Sequence, residues 1–317
     1  MGRRTRSKKV SRPLHLSGES ARDKILLVGT GALATLFAYR LAAAGVEVTL
    51  LGTWPEGLAA LRENGAQLDG AGGSPVRVID NPADCRKAKF ALVLIKSWQT
   101  ERAAHQLADC LAKDGLAVTL QNGLGNDTVL SETIGMQRVG RGVTTLGATL
   151  LAPGLVRSGG EGTVVLEAHP ILASLIDIFR VAKLKVKVVD DAESLVWGKL
   201  VVSAAINPLT ALLRIKNGEL LERPSVRALM GELACEASAV AEAHGVALPF
   251  RGPERAAEEV ARRTAENTSS MLQDVLRGAP TEIDVINGAV VHWGEKKNVP
   301  TPVNRVMWSL VKAFARS

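Results

Sequence analysis

The chain has 317 residues, of which 46% are hydrophobic and 22% charged, and its formal net charge is +7 at pH 7. This length suits two domains of about 100–200 residues each, with the composition of an ordinary soluble α/β protein. No apolar run reaches the roughly 18 residues needed to span a bilayer without a charge or a helix breaker. The three scattered cysteines (Cys85, Cys110, Cys235) form neither a disulfide framework nor a metal site, so we expect a cytoplasmic protein without a membrane partner or a bound metal.

The positive charge is concentrated at the amino terminus. Residues 1–22 carry seven Arg or Lys side chains against one acid, Glu19, so this segment has a net charge of +6 and the rest of the chain only +1. The high pI therefore does not indicate a nucleic-acid-binding surface, and no nucleic-acid partner is expected. The tail lacks the apolar core of a secretory signal. We expect it to be disordered, with a transit peptide or an alternative-start extension as the other interpretations.

The first folded segment is a strand, a helix and a second strand around a glycine-rich turn. Residues 23–28 predict a buried strand, an Ala- and Leu-rich helix follows to Ala44 with Gly45 as its C-cap, and residues 46–51 predict the next strand. The turn has the pattern Gly-x-Gly-x-x-Ala and consists of Gly29, Thr30, Gly31, Ala32, Leu33 and Ala34. Its first glycine permits the tight turn, its second admits a pyrophosphate to the helix N-terminus, and its small last residue packs helix on strand. Between a strand and a helix, this pattern predicts a dinucleotide-binding Rossmann domain.

The loop after the second strand does not choose between NADP and NAD. An acid there would bind the ribose 2′-hydroxyl and a base would bind a 2′-phosphate, but the loop contains Thr53 and Trp54 and neither type of charge. Thr53 can donate to a phosphate and Trp54 can cover an adenine face. An ordinary structural turn fits the same residues.

The pattern then continues as further strands and helices up to a hinge at Asp190-Asp191. We predict strands over 75–79, 90–95, 116–120, 139–149, 162–166 and 185–189, a turn at Pro153-Gly154, and helices over 58–64, 100–111 and 170–182. In open parallel sheets, ligands bind beyond the carboxyl ends of the strands, and this chain places Lys96 and Asn122 at two such ends. Roles as a loop residue or a helix cap are the alternatives for both.

Beyond the hinge nearly every element is predicted to be helical, including 194–213, 225–244, 253–265 and 303–315. The expected organisation is therefore α/β: a tail over 1–22, a doubly wound Rossmann domain over 23–190 and an all-helical substrate and catalytic domain over 191–317. The apolar last helix can serve a homodimer interface, although core packing explains its composition equally well.

One predicted helix carries polar side chains on an otherwise apolar surface. Lys199, Ser203 and Asn207 recur at i, i+4 and i+8, which places them on one helical face. A solvated face is the simplest interpretation of such a stripe, but the flanking apolar residues favour a lysine that lines a cleft. Pro208 is predicted to stop or kink the helix, which would leave Asn207 at a frayed end facing a ligand.

Two later segments also contain polar residues next to apolar turns. Ser269 and Ser270 precede the run Met271–Leu272, as helix-capping hydroxyls do. Thr281 is a predicted N-cap that would place Glu282 in the first turn of a helix, where the helix dipole favours an ionised carboxylate. Purely structural roles are sufficient for each of these residues taken alone.

Taken together, these segments resemble the ketopantoate reductase (2-dehydropantoate 2-reductase) family from about residue 24 to the end of the chain. The motifs that carry the resemblance are Gly29-x-Gly31-Ala32-Leu33, Lys96-Ser97-Trp98-Gln99, Gln121-Asn122-Gly123, Lys199-Leu200 with Ile206-Asn207-Pro208-Leu209-Thr210, Ser269-Ser270-Met271-Leu272-Gln273-Asp274 and Thr281-Glu282-Ile283-Asp284-x-Ile286-Asn287-Gly288. Six blocks in this order are far more specific than a dinucleotide fingerprint alone.

The resemblance implies a Rossmann domain, an all-helical second domain and an active site in the cleft between them. It implies reduction of ketopantoate to (R)-pantoate with NADPH, with NAD not excluded, on the route to pantothenate and coenzyme A. The family's catalytic lysine and glutamate fall on Lys199 and Glu282. The implied cofactor contacts are the glycine turn, Lys96 and Asn122, to which the loop after the second strand adds Thr53. The implied substrate contacts are Asn122, Asn207, Asn267, Ser270 and Glu282, to which we add Ser203 at the position of a family asparagine.

The chain departs from the family pattern at two positions. Ser203 stands where many members carry asparagine, and a serine hydroxyl reaches less far toward the substrate. Thr53-Trp54 stand where many members place an arginine for the 2′-phosphate. Reduction of another 2-oxo acid is therefore an alternative, and a non-enzymatic dinucleotide-binding regulator with a basic tail is a second, against which the presence of both Lys199 and Glu282 argues.

Overall fold

A computed structural model describes residues 24–85 and 87–315, so the predicted basic tail lies outside the described residues. In these ranges the strands are Lys24–Val28 (β1), Glu47–Leu51 (β2), Ala66–Leu68 (β3), Gly72–Ser74 (β4), Arg77–Ile79 (β5), Ala88–Val93 (β6), Leu111–Thr119 (β7), Val139–Thr144 (β8), Ala148–Ala152 (β9), Leu155–Ser158 (β10), Thr163–Glu167 (β11) and Lys185–Val189 (β12). The α-helices are Ala32–Ala43 (α1), Pro55–Asn64 (α2), Thr100–Cys110 (α3), Asn126–Ile134 (α4), Leu172–Val181 (α5), Glu193–Leu213 (α6), Pro224–Ala243 (α7), Pro253–Arg263 (α8), Ser270–Leu276 (α9), Asn287–Lys296 (α10) and Pro302–Phe314 (α11).

The main sheet has eight strands in the order β12-β11-β8-β7-β6-β1-β2-β5. All neighbours pair in parallel except β8 and β11, which are antiparallel. A strand that is covered on both faces of its sheet needs apolar side chains on both faces. In β1, successive buried side chains point alternately to the two faces. Ile25 packs with Phe37 in a core on one face of the sheet, and Leu26 packs with Ala104 in a core on the other. The predicted Rossmann-type architecture is therefore confirmed.

The single strand predicted over 139–149 is wrong, because the structure divides it between two sheets. β8 ends at Thr144, whose hydroxyl accepts a hydrogen bond from the Leu146 amide at 3.1 Å, so the chain turns out of the main sheet there. β9 then joins a separate four-stranded sheet of order β4-β3-β10-β9. The predicted turn at Pro153-Gly154 is confirmed, and it connects β9 to the unpredicted strand β10.

The helices after β12 form a second core, in which α6 is the longest element. Leu200 of α6, Leu233 of α7 and Val290 of α10 are among its buried residues. α6 is long and apolar enough to cross a membrane, but 67% of its apolar 18-residue window is buried inside the protein. In the described ranges α6 is thus the central helix of a folded core.

α6 does not end at Pro208, so the predicted frayed end at Asn207 is wrong. The helix continues to Leu213, and Asn207 is buried inside it. Pro208 has no amide hydrogen to donate to the carbonyl of Ala204, four residues earlier. Instead the side-chain Nδ2 of Asn287, in α10, donates to that carbonyl at 3.0 Å. A contact from a distant segment replaces the bond that the sequence pattern removes.

Candidate active site

The glycine turn before α1 has the geometry of a pyrophosphate cradle. Gly29 has φ +125°, and a Cβ atom there would lie 2.9 Å from the Leu94 carbonyl oxygen, so both its conformation and its surroundings require glycine. A Cβ atom on Gly31 would meet nothing within 4 Å, so open space lies above the start of α1. The helix N-terminus has no side-chain cap that would occupy its amide groups. The residues present therefore fit a dinucleotide pyrophosphate.

The remaining turn residues have different surroundings. Ala34 is fully buried, which agrees with its predicted packing role, whereas Ala32 and Leu33 are partly exposed at the start of α1. Thr30 is buried against Gly52 at the end of β2. Thr53 is exposed. The ring of Trp54 packs on α2, because a Cβ atom on Gly57 would lie 2.3 Å from its Cε3 atom.

Lys199 extends from α6 to the carboxyl end of the main sheet. Its Nζ donates a hydrogen bond to the Thr144 carbonyl, at the end of β8, over 2.9 Å. Burial lowers the pKa of Lys199 to about 8, and the Glu282 carboxylate limits this fall because it favours the charged amine. Burial is thus the stronger of the two opposing effects. An ammonium group with a pKa near neutrality is well suited to donate a proton.

Glu282 connects the helical half of the chain to the end of β6. Its side chain is only 5% exposed. Its carboxylate accepts a hydrogen bond from the Ser97 amide at 3.0 Å and one from Lys96 Nζ at 3.4 Å. These contacts and the electrostatic effect on Lys199 place the two predicted catalytic residues in one site.

The predicted helix start around Glu282 is wrong in its local structure. Glu282 immediately precedes a short 3-10 turn, Ile283–Val285, and α10 begins only at Asn287. Ile286 separates the two segments because its φ of −106° and ψ of −91° are not helical. Thr281 is therefore not the cap of an α-helix. The Glu282 carboxylate is instead held by Lys96 and the Ser97 amide.

Lys96 lies between two acids of the helical half. Its Nζ is 2.5 Å from Asp274 and 3.4 Å from Glu282. Burial disfavours the charge on Lys96, but the two carboxylates outweigh it and raise its pKa. Asp274 also receives a hydrogen bond from Arg277 at 3.0 Å. Asp274 has no predicted role, although an acid inside an apolar helical turn is an unusual feature that could have identified it.

The N-terminus of α9 is hydrogen-bonded to α6, next to the polar stripe of Lys199, Ser203 and Asn207. Thr210 Oγ1, on α6, lies 2.7 Å from Ser269 Oγ. Ser269 is the N-cap of α9, where its hydroxyl accepts from the Leu272 amide at 3.1 Å. In the described part of the chain, no hydrogen bond is formed by the hydroxyl of Ser270 or the side-chain amide of Asn207. Ser270 is partly exposed, as is Ser203 one turn before Asn207, whereas Asn207 itself is buried.

Asn122 and Asn267 have their backbones fixed by neighbouring residues. The carbonyl of Asn122 accepts from Asn126 Nδ2 at 2.9 Å, just after β7. The next residue, Gly123, has φ +83°, and its Cβ would lie 2.5 Å from the Val285 carbonyl oxygen, so this loop touches the 3-10 turn that follows Glu282. The Asn267 carbonyl accepts from the Asn217 amide at 3.1 Å. Asn267 and Thr53 have no hydrogen bond to Lys199 or Glu282 in the described ranges.

The chemistry available here is proton donation to a polar group at the edge of a dinucleotide-binding sheet. Lys199 can donate a proton, Glu282 and Lys96 can provide charges, and the amide and hydroxyl groups of the stripe can orient a polar ligand.

Comparisons with known proteins find similar sequences and structures over most of the chain. Residues 25–170 match the family model described as "Ketopantoate reductase PanE/ApbA", and residues 191–315 match "Ketopantoate reductase PanE/ApbA C terminal". A 2-dehydropantoate 2-reductase from Archaeoglobus fulgidus is 35% identical, with 92% of this chain and 97% of that protein covered. The crystal structure of a PanE/ApbA family ketopantoate reductase from Ralstonia eutropha has a TM-score of 0.85 and 32% identity, with coverage of 92% and 98%. A D-mandelate dehydrogenase in complex with NADH has a TM-score of 0.83 and 25% identity, again with coverage of 92% and 98%.

Proposed function

This chain belongs to the ketopantoate reductase family of oxidoreductases, and we propose that it reduces 2-dehydropantoate (ketopantoate) to (R)-pantoate with NADPH, a step toward pantothenate and coenzyme A. The observation that carries this proposal is that Lys199 and Glu282 both lie at the carboxyl edge of the main sheet, where Lys199 donates to the Thr144 carbonyl and Glu282 accepts from the Ser97 amide. The glycine turn that would hold the cofactor opens at the same edge.

The cofactor, when bound, supplies the hydride, and the chain supplies binding, orientation and a proton. The turn from Gly29 to Ala34 would hold the pyrophosphate at the N-terminus of α1. Lys96, Asn122 and Thr53 are the proposed side-chain contacts to the cofactor.

Lys199 is the proposed proton donor. Its ammonium group hydrogen-bonds the C2 carbonyl oxygen of the substrate, and it transfers a proton as negative charge develops on that oxygen. Its lowered pKa makes this transfer easier than from an ordinary lysine. The Glu282 carboxylate favours the charged form of the Lys199 amine at neutral pH. In addition, it accepts a hydrogen bond from the terminal hydroxyl of the substrate.

The substrate carboxylate is assigned to neutral donors. Ser270 and Asn207 suit this task because their side chains have no hydrogen-bond partner in the described chain and bring no further charge into the cleft. Asn122, Ser203 and Asn267 complete the proposed substrate contacts. The shorter Ser203 leaves more room than the asparagine that many family members carry.

Steady-state kinetics on ketopantoate, with NADPH and NADH compared side by side, test this proposal. We expect oxidation of NADPH that depends on ketopantoate and a higher kcat/KM with NADPH than with NADH. Lys199→Ala should lower kcat by about 10²–10⁴-fold with NADPH affinity nearly unchanged. Absence of turnover on ketopantoate with either cofactor would reject the function, and a Lys199→Ala variant with most of its activity would reject the role.

A second candidate is reduction of a different 2-oxo acid, with NADH as the donor. The similarity to a D-mandelate dehydrogenase that binds NADH supports this candidate, as do Ser203 and the uncharged Thr53 loop. A panel of aliphatic and aromatic 2-oxo acids distinguishes the two, because a kcat/KM for another acid above that for ketopantoate would replace the first proposal.

We also place the protein in the cytoplasm as a homodimer. α11 exposes Val306, Leu310 and Phe314, which recur at i, i+4 and i+8 on one face. Analytical ultracentrifugation tests the dimer, and a monomer at micromolar concentration would exclude it.

A further inference from the structure

Pro208 creates a problem in the hydrogen bonding of α6, at the point where this helix carries the proposed substrate residue Asn207. A helical residue donates its amide hydrogen to the carbonyl four positions earlier, and proline has none to donate. The Ala204 carbonyl therefore lacks its usual donor four residues later in α6, although Ala204 is fully buried. A buried carbonyl without a partner is unfavourable, so the helix needs a donor from elsewhere.

Asn287 provides that donor from the start of α10. Its side chain is fully buried, and Nδ2 donates to the Ala204 carbonyl at 3.0 Å and to Asn304 Oδ1 at 2.9 Å. Its Oδ1 has no hydrogen-bond partner in residues 24–85 and 87–315, so the two donated bonds alone orient the amide.

The amide of Asn287 is itself held rigidly by its neighbours. Asn304, also fully buried, donates to the Leu233 carbonyl at 3.2 Å and to Glu236 at 2.9 Å. Glu236 also accepts from the backbone amide of Asn304 at 2.8 Å, at the start of α11. The donor that reaches α6 is therefore fixed by contacts from α7 and α11.

From these contacts we infer that Asn287 is a positioning residue for substrate binding, which acts through the Ala204 carbonyl to keep α6 helical past Pro208. Ala204 lies between Lys199 and Asn207, the two ends of the polar stripe. Without the bond to Asn287, the turn that carries Asn207 is free to open, whereas Lys199, earlier in the helix, keeps its bond to Thr144. This inference rests on the proposed function for its kinetic readout, but its structural basis is independent of the substrate.

The test is a double-mutant cycle with Pro208→Ala, which restores the missing amide hydrogen. Asn287→Leu in the otherwise natural chain should raise KM for ketopantoate about tenfold, which corresponds to about 1.4 kcal/mol, the typical loss for one unsatisfied buried carbonyl. The Kd for NADPH should stay within about twofold, because the glycine turn is untouched. In the Pro208→Ala background the same substitution should change KM by less than about twofold, since the alanine amide introduced there donates to the Ala204 carbonyl.

Asn217→Leu is the matched control for a merely structural effect. It removes another buried side-chain hydrogen bond of the helical half, from Asn217 Nδ2 to Thr264 Oγ1 at 2.9 Å, but leaves Asn287 and Ala204 untouched, so Pro208→Ala should not rescue any change that it causes in KM. If Asn287→Leu does not fold, Asn287→Ser takes its place, because a serine hydroxyl is too short to reach the carbonyl but fits the space. An equal change in KM for the Asn287 variant in both backgrounds, or no change in either, would overturn the inference.

Hydrogen exchange provides a readout that does not depend on the substrate. The amides of residues 209–212 should exchange faster in Asn287→Leu than in the natural protein, and return toward the natural rate in the double variant. If the natural protein does not reduce ketopantoate, the proposed function fails while this exchange pattern still supports the inference. Unchanged exchange in Asn287→Leu would overturn the inference, whatever the substrate.

Discussion

Raising the pH from 7 to 9 should slow ketopantoate reduction about tenfold through the titration of Lys199. Only the ammonium form can donate a proton, and its pKa is about 8. A group with that pKa is about 90% protonated at pH 7 and about 10% protonated at pH 9. A lysine with the ordinary pKa of 10.5 would remain almost fully charged over the same range. The fall in rate between these two pH values therefore measures the effect of burial on this side chain.

The assay is kcat/KM for ketopantoate from initial rates of NADPH oxidation, which reports groups that titrate in the free enzyme. Glu282→Gln should move the fall in rate to lower pH, because it removes the carboxylate that favours the charged amine and leaves burial unopposed. Lys199→Ala should leave a low rate without this fall. A profile that stays flat up to pH 9, or the same fall in Lys199→Ala, would refute the assignment of the proton donor.

Four further variants test other parts of the site. Gly31→Val should retain natural thermal stability but weaken NADPH binding at least about tenfold, because its side chain fills the space left for the pyrophosphate. Gly29→Ala should instead lower the free energy of unfolding by about 1–3 kcal/mol, from its positive φ and backbone contact; equal effects of the two variants on stability would contradict the cradle. Asp274→Asn should lower the free energy of unfolding in urea by about 1–3 kcal/mol, since it removes the closest partner of the partly buried Lys96; an unchanged midpoint would show that this ion pair is not stabilising. Thr53→Arg should shift the ratio of NADPH to NADH affinity about tenfold toward NADPH, because a guanidinium pairs with the 2′-phosphate; an unchanged ratio measured by titration would place the 2′-position elsewhere.

The Rossmann half was predictable because its signals are local. An apolar strand, a glycine turn and an Ala-rich helix lie next to one another in the chain, and the requirement of Gly29 for a positive φ belongs to its own backbone. The predicted strand over 139–149 failed because apolar alternation does not show where a chain leaves one sheet for another. The hydrogen bond from Leu146 to the Thr144 hydroxyl decides that point, and it is visible only in the fold.

At the site, the order of residues is enough to identify the polar groups and to show that Lys199, Ser203 and Asn207 share one face of α6, since helical periodicity aligns them. What those groups can do depends on the folded arrangement around them. The pKa of Lys199 depends on the protein packed around it and on Glu282, which is remote in sequence. The path of α6 past Pro208 depends on a side-chain amide from α10. Burial and through-space contacts govern proton affinity and backbone hydrogen bonding, and neither quantity is encoded in the spacing of residues along a chain.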